Sequence, residues 1–281
     1  MTNQAAVPNS PSLWMNSWPW PDRDSHKHVR GHLGCVSGPA SSTGAVRLSA
    51  RAGLRVGAGL VTLFSPPGAV LVNASHETAV MVKSFSDAES LKALACRTQC
   101  TLIGPGAGLT RDTIDNTLAV LEGAASAVLD ADALTMFKEQ PQRLFSAIKG
   151  PALFTPHEGE FRRIFPDLPV SGDRVDAVSK ASKQSGAVII LKGPSSLVAS
   201  PDGRLVENTH ASPFLATAGS GDVLAGIAGG LMAQGMDAFD AACAACWVHG
   251  ELDLRLGPGL IAEDLPEALP ALLHELYAAR T

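Results

Sequence analysis

The 281-residue sequence has few charged residues, 17%, and few aromatics, 5%, with a single tyrosine. Charge this sparse beside 46% hydrophobic residues excludes a disordered chain, which needs the opposite balance. Positive charge is not in surplus either, the formal net charge being −5. Coating DNA, RNA or an anionic membrane requires an excess of lysine and arginine to neutralise phosphates, so neither nucleic acid nor membrane is an expected partner. Long apolar runs are missing. The longest, from Val223 to Met236, is broken by glycines and Gln234 and falls short of the roughly 20 residues that cross a bilayer. The first residues lack a basic stretch followed by an apolar one, so they do not read as a secretory signal, and a cytoplasmic location is expected. Cysteines Cys35, Cys96, Cys100, Cys243 and Cys246 are odd in number and irregularly spaced, which fits reduced thiols.

What remains is an aliphatic, glycine-rich chain whose short apolar runs alternate with longer amphipathic ones. Strands are expected around Leu33 and from Leu60, then over 79–83, 100–106, 126–130, 152–156 and 187–193, with a helix from Thr43 to Gly57 and others between most of the strands. Continuous Val, Ile and Leu runs fit strands covered by helices on both faces, so an α/β fold with a doubly wound, mostly parallel sheet follows. Past Lys192 a hairpin is expected about Pro201-Asp202-Gly203. Helices over 219–235, 237–256 and 264–279 close the chain. No linker divides it, so residues 26–281 read as one domain. Residues 1–25, with Trp14, Trp18 and Trp20 among prolines and asparagines, read as an arm that packs on the body or on a neighbouring subunit.

Several turns carry polar groups suited to chemistry. Gly219-Ser220-Gly221-Asp222 precedes an apolar helix, whose first amides and dipole form an anion site of the kind phosphate occupies. Asp222 then has two readings: a first-turn acid that favours its helix by about 1 kcal/mol, or a base that deprotonates a hydroxyl attacking a phosphoryl group. Lys192-Gly193-Pro194-Ser195-Ser196 follows a buried strand and suits nucleotide phosphates. His157 and Glu160, three residues apart, share a helix face. Asp130-Ala131-Asp132 and Gly104 to Gly108 end further strands, which places all these turns along one carboxyl edge, where α/β sheets bind ligands. Neither a Walker P-loop nor a G-x-G-x-x-G fingerprint is present. Cys243 and Cys246 form a C-x-x-C in an alanine-rich helix with no second pair elsewhere; they and His249 read as core and helix-face residues rather than metal ligands.

As an ordered set running from His26 to about Leu273, HKHVRGH, SGPASSTGAVRLSARAGLRVGAGLVTL, IGPGAGL, VLDADAL, FTPHEGEF, ILKGPSS and ATAGSGDVLAG resemble the ADP-dependent NAD(P)H-hydrate dehydratases of the ribokinase-like superfamily. The resemblance implies a three-layer α/β/α sandwich and a lyase that repairs the S-epimer of hydrated NADH or NADPH. A phosphoryl group passes from ADP to the ring hydroxyl, AMP is released, and phosphate then leaves. Asp222 would be the base. Lys192, Gly193, Pro194, Ser195, Ser196, Gly219, Ser220 and Gly221 would hold ADP. Ala45, Gly106 and His157, with Asp222, would contact the hydrated dinucleotide. Asp132 and Glu160 would join a network of phosphate and Mg2+-bound water, with no residue assigned as a direct metal ligand. The resemblance also implies a homotetramer, with any epimerisation of the hydrate coming from a separate epimerase polypeptide or occurring spontaneously. This chain departs from the family pattern in CVSGP, where paired glycines are common, and at Ala218, where glycine is usual. Two other readings share the anion site: a ribokinase-like kinase for a thiamine-precursor alcohol, and a nucleotide-binding regulator that does not catalyse.

Overall fold

The computed structural model describes residues 5–280 and contains, among them, ten strands and eleven α-helices. The strands are β1 (Val7–Pro8), β2 (His32–Val36), β3 (Leu60–Ser65), β4 (Met81–Ser84), β5 (Cys100–Ile103), β6 (Ala127–Leu129), β7 (Ala152–Phe154), β8 (Val188–Leu191), β9 (Ser196–Ala199) and β10 (Leu205–Asn208). They form one sheet in the order β1-β10-β9-β8-β7-β6-β5-β2-β3-β4. From β8 to β4 all neighbours are parallel; β9 runs antiparallel between β8 and β10, as the hairpin about Asp202-Gly203 dictates. The α/β class and the mostly parallel sheet are as the apolar runs predict. The strand expected over 79–83 begins two residues later and ends one later, because it is the sheet's edge: Met81 is exposed, and a one-sided strand leaves a weak apolar signature.

Helices α1 (Thr43–Arg55), α2 (Pro67–His76), α3 (Ala88–Ala95), α4 (Arg111–Gly123), α5 (Ala131–Thr135), α6 (Pro141–Ala147), α7 (Glu158–Ile164), α8 (Arg174–Ser185), α9 (Ser220–Ala233), α10 (Ala238–Leu256) and α11 (Asp264–Ala279) cover both faces. One core joins the first face of the sheet to α1, α9, α10 and α11, and a second joins the other face to α3 through α8. Such parallel strands have no solvated face, which explains why they read as continuous aliphatic runs. The small residues allow close helix crossings: a Cβ on Gly226 of α9 would overlap the carbonyl oxygen of Ser49 in α1. That crossing sets the position of the start of α9 against α1.

The tryptophan segment lies against the α10 and α11 side, beyond residues 1–4, which fall outside the described residues. Val7 and Pro8 pair with Val206 and Glu207, extending the sheet by an edge strand. Trp14 is fully buried, tilted against Trp18 at 5.6 Å and Trp247 of α10 at 5.8 Å, and Trp20 meets Tyr277 of α11 edge-on at 5.2 Å. Asn9 ties the segment to the body. Its Nδ2 donates to the Asn208 side chain and to the Cys243 carbonyl, both at 2.8 Å, while its Oδ1 accepts from Trp14 Nε1. Trp14→Ala therefore removes a fully enclosed ring and is expected to cost about 3–5 kcal/mol in urea unfolding; a change within about 0.5 kcal/mol would mark the segment as surface decoration.

Candidate active site

The turns after β2, β5, β6, β7 and β8 all lie at the sheet's carboxyl edge. The winding reverses between β2 and β5, the crevice where open α/β sheets bind ligands. Here Gly38, after β2, and Gly106, after β5, touch backbone to backbone, since a Cβ on Gly38 would overlap the Gly106 carbonyl oxygen. Further along the edge Lys192, the first residue past β8, reaches Asp130, the first past β6, with Nζ 2.9 Å from Oδ1. Asp130 is 2% exposed, so this is a buried ion pair. The Lys192 N–H donates to the Pro156 carbonyl at 2.9 Å, and its backbone bridges His157 in parallel, so the two residues stand side by side.

His157 does not project alone. Its Nδ1 accepts from the N–H groups of Gly159 and Glu160 at the start of α7, and Glu160 Oε2 accepts in return from the His157 N–H at 2.9 Å. This reciprocal cap fixes the buried Glu160 carboxylate towards the cleft. On the neighbouring turn Asp132 Oδ2 accepts from Gly108 N–H at 2.8 Å, joining the turns after β5 and β6. Between Asp130 and Asp132, Ala131 has a φ of +47°, a left-handed conformation that costs a non-glycine residue energy and is held by its surroundings.

Opposite these carboxylates α9 begins. Gly219, its cap, has a φ of +90°, and a Cβ there would press on Leu48 and Ala262. A Cβ on Gly221 would stand 3.3 Å from Lys192 Nζ, so the open first turn of α9 faces the lysine directly. Burial pushes the Asp222 carboxyl up to about 6; Asp130, Asp132 and Glu160 push in the same direction and Lys192 opposes them. Lys192 shows the converse. Burial disfavours its ammonium, but Asp130, Glu160 and Asp222 outweigh this and hold it above the ordinary lysine range. Behind Asp222, Ser49 Oγ donates to the Asp222 carbonyl at 2.8 Å and approaches the Ala45 carbonyl at 3.3 Å, placing Ala45 beside the same helix start.

A cavity of about 660 Å³ opens next to this cluster, large enough for a nucleotide. Lys192, Gly193, Pro194, Ser196, Ser220 and Gly221 line it. Ser195 does not: its hydroxyl and carbonyl receive hydrogen bonds from Arg174 of α8, which braces the loop from behind. Much of the remaining wall is the segment 211–216, which carries no sequence pattern that marks a site. It is tied to α10 by Ser212, which bonds Asp253, and by His210, whose Nε2 lies 2.7 Å from Glu251 Oε2. Cys243 and Cys246 are buried, in keeping with a core role. His249 departs from the helix-face expectation, for it is buried and lines the cavity together with Cys246. Among the described residues no three His, Cys, Asp or Glu side chains gather as a metal cluster, and no helix is long and apolar enough to cross a membrane.

The NAD(P)H-hydrate dehydratase family model matches residues 33–265. The chain belongs to that family. It is 35% identical over 237 residues to the ADP-dependent (S)-NAD(P)H-hydrate dehydratase of Neisseria meningitidis serogroup B, covering 81% of this chain and 77% of that one. It is 34% identical over 284 residues to a bifunctional NAD(P)H-hydrate repair enzyme of Moorella thermoacetica, covering 94% of this chain and 53% of the relative, so the chain spans about half the length of such bifunctional relatives. Among solved structures, an ADP/ATP-dependent NAD(P)H-hydrate dehydratase from Bacillus subtilis, co-crystallised with ATP and Mg2+, superposes with a TM-score of 0.84 at 25% identity, over 98% of this chain and 100% of that one. A ribokinase-like superfamily protein from Enterococcus faecalis shares the fold, with a TM-score of 0.86 at 24% identity over 98% of both chains. The dehydratase family and the ribokinase-like fold are thus those the ordered motifs resemble.

Proposed function

We propose that this protein is an ADP-dependent dehydratase that restores NADH or NADPH from the S-epimer of the hydrated form. The observation that carries this reading is Asp222, a carboxyl raised to about 6 beside Lys192 and following directly on Ser220 and Gly221, which line a cavity sized for a nucleotide. ADP lies with its phosphates against Lys192 and the amides of Gly219, Ser220 and Gly221. These fixed donors meet the negative charge that grows during phosphoryl transfer. The hydrated ring sits among Ala45, Gly106, His157 and Asp222. Asp222 takes the proton of the ring hydroxyl, the hydroxyl oxygen attacks the β-phosphorus of ADP, and AMP leaves. The C–O bond of the new phosphoester then breaks, a proton leaves the adjacent ring carbon, and the dihydronicotinamide is restored with free phosphate.

Mg2+ fits this arrangement in the manner usual for nucleotide enzymes, held mainly by phosphate oxygens and water with carboxylates nearby. Asp132 and Glu160 are the carboxylates suited to hold its water; when bound, the ion neutralises phosphate charge. Homotetramer assembly and a cytoplasmic setting belong to the same reading.

Because Asp222 must be ionised to act, kcat/KM is expected to rise with pH through about 6 and then level off. A profile flat from pH 5 to 8 would remove Asp222 from the role of base. The function itself is tested by incubating the purified protein with hydrated NADH, ADP and Mg2+. Dihydronicotinamide absorbance returns if the reading holds. It stays flat, while ATP phosphorylates a thiazole or pyrimidine alcohol, if the protein is instead a small-molecule kinase.

A further inference from the structure

The cavity given to ADP accounts for only one of the two substrates. In the proposed reaction the ring of the hydrate lies among Ala45, Gly106, His157 and Asp222, but the dinucleotide carries a second nucleotide beyond that ring. Space on the Lys192 side is taken by ADP, so the second half belongs on the other side of Gly106. A second cavity, of about 580 Å³, opens there and is comparable in size to the first. Gly38, Ala107 and Gly108 line it, so the turn that carries Gly106 continues into its wall, next to the backbone contact of Gly38 with Gly106. The other walls come from the turns after β3 and β4 and from the start of α4, which sets the cavity in the crevice where the winding of the sheet reverses.

The lining has two kinds of surface. Val36, Pro39, Phe85 and Ile103 are apolar and suit the faces of a purine. The charged part is wholly acidic: Asp87, Asp112 and Asp115 line the cavity, and among the described residues no lysine, arginine or histidine does. Asp87 is fixed as the cap of α3, its Oδ1 accepting from the Ser90 N–H at 2.8 Å. Arg111 and Arg143 reach Asp115 from outside the lining, at 3.8 and 4.0 Å, so neither presents its charge to an occupant. In dinucleotide sites an acid accepts the 2′-hydroxyl of the adenosine ribose, whereas a 2′-phosphate, with a charge of about −1.5 to −2 at pH 7, calls for an arginine. We propose that this cavity holds the adenosine half of the hydrated dinucleotide and that its carboxylates select the hydrate of NADH over that of NADPH. This rests on the dehydratase reading.

The test is kcat and KM, at saturating ADP and Mg2+, for the S-epimer hydrates of NADH, of NADPH and of reduced nicotinamide mononucleotide, which lacks the adenosine half. The wild type is expected to favour the NADH hydrate over the NADPH hydrate about tenfold or more in kcat/KM, chiefly through KM, and the gap should narrow as salt rises from about 0.05 to about 0.5 M. Asp112→Lys, on the exposed first turn of α4, is expected to shrink or reverse the preference by raising kcat/KM for the NADPH hydrate. Asn116→Trp, which fills the cavity from the same helix, should raise KM for the NADH hydrate about tenfold or more while KM for the mononucleotide hydrate stays within about twofold. Equal wild-type use of the two dinucleotide hydrates, or a preference that Asp112→Lys does not move, overturns the selection. A KM that Asn116→Trp shifts equally for the dinucleotide and mononucleotide hydrates, or for neither, overturns the placement. If Asn116→Trp does not fold, Ala88→Trp on the α3 wall takes its place. Failure of the wild type to turn over any of the three hydrates would overturn the dehydratase reading itself, a result distinct from turnover without discrimination.

Discussion

Asp222→Asn is expected to lower turnover at least about a hundredfold, the range for losing a positioned base, and at the same time to make the folded protein more stable at neutral pH. The second effect follows from linkage. Burial and the neighbouring carboxylates raise the Asp222 carboxyl from 3.8 to about 6 in the folded state. Between those values the folded protein holds more protons than the unfolded chain, so stability falls as pH rises, and above about 6 the full penalty of roughly 3 kcal/mol is in force. Asparagine carries no such penalty. The variant should therefore melt higher than wild type at pH 7.5, and the difference should vanish near pH 4. A first-turn acid whose only work is to favour its helix predicts the opposite sign, a loss of about 1 kcal/mol on substitution. Thermal melts of the two proteins at both pH values, beside the turnover assay, separate the readings.

Lys192→Met is expected to give the largest loss of stability among single changes in the cleft. It leaves Asp130, 2% exposed, as a buried charge without its cation; breaking such pairs from one side costs about 3–5 kcal/mol. For a chain of this size that lowers the melting temperature by roughly 10 °C. Adding Asp130→Asn to Lys192→Met removes the stranded charge and should restore most of the stability. It should not restore ADP binding, since the double variant has no cation facing Gly221. Recovery of both properties would mean that Lys192 serves only the ion pair. Calorimetry of ADP binding and thermal melts on the single and double variants decide the matter.

The parts of the fold that were legible in advance are those governed by local pattern. The parallel strands, buried on both faces, appear as aliphatic runs. Asp202-Gly203 marks its hairpin, and α9, α10 and α11 lie close to where their periodicity puts them. Many of the cleft residues announce themselves because turns after parallel strands share an edge. What could not be read are the features made by contacts remote in sequence. Asp130 and Lys192 are 62 positions apart, and nothing local says that they pair. Val7–Pro8 is too short to show strand character and is a strand only because β10 offers an open edge. The cavity wall at 211–216 holds no more than one 3-10 turn, Pro213–Leu215, and is positioned by Ser212 and His210 bonding to α10. His249 looks like any polar residue on an alanine-rich helix until the cavity beside it is seen. Ser195 stands off the cavity wall for a related reason: it follows Lys192 closely in sequence, but its hydroxyl and carbonyl accept hydrogen bonds from Arg174.

The acidic balance of the chain also acquires a physical meaning. Phosphate can be held here by the amides of one helix start and a single lysine, so a net charge of −5 is compatible with an anionic co-substrate. Burial first and then the carboxylates around Lys192 raise the Asp222 carboxyl, and the same carboxylates hold the lysine charged against its own burial, so the negative charge helps to tune the proposed base.

The central claim is that phosphoryl transfer from ADP to the hydrate and the return of the dihydronicotinamide are two halves of one reaction at Asp222. Its most direct test is the stoichiometry of products from hydrated NADH, ADP and Mg2+, with NADH read by absorbance and AMP and phosphate by phosphorus NMR. The account predicts one AMP and one phosphate for each NADH restored, and none of the three in Asp222→Asn within the same time. NADH restored without AMP, or AMP released without NADH, would contradict it.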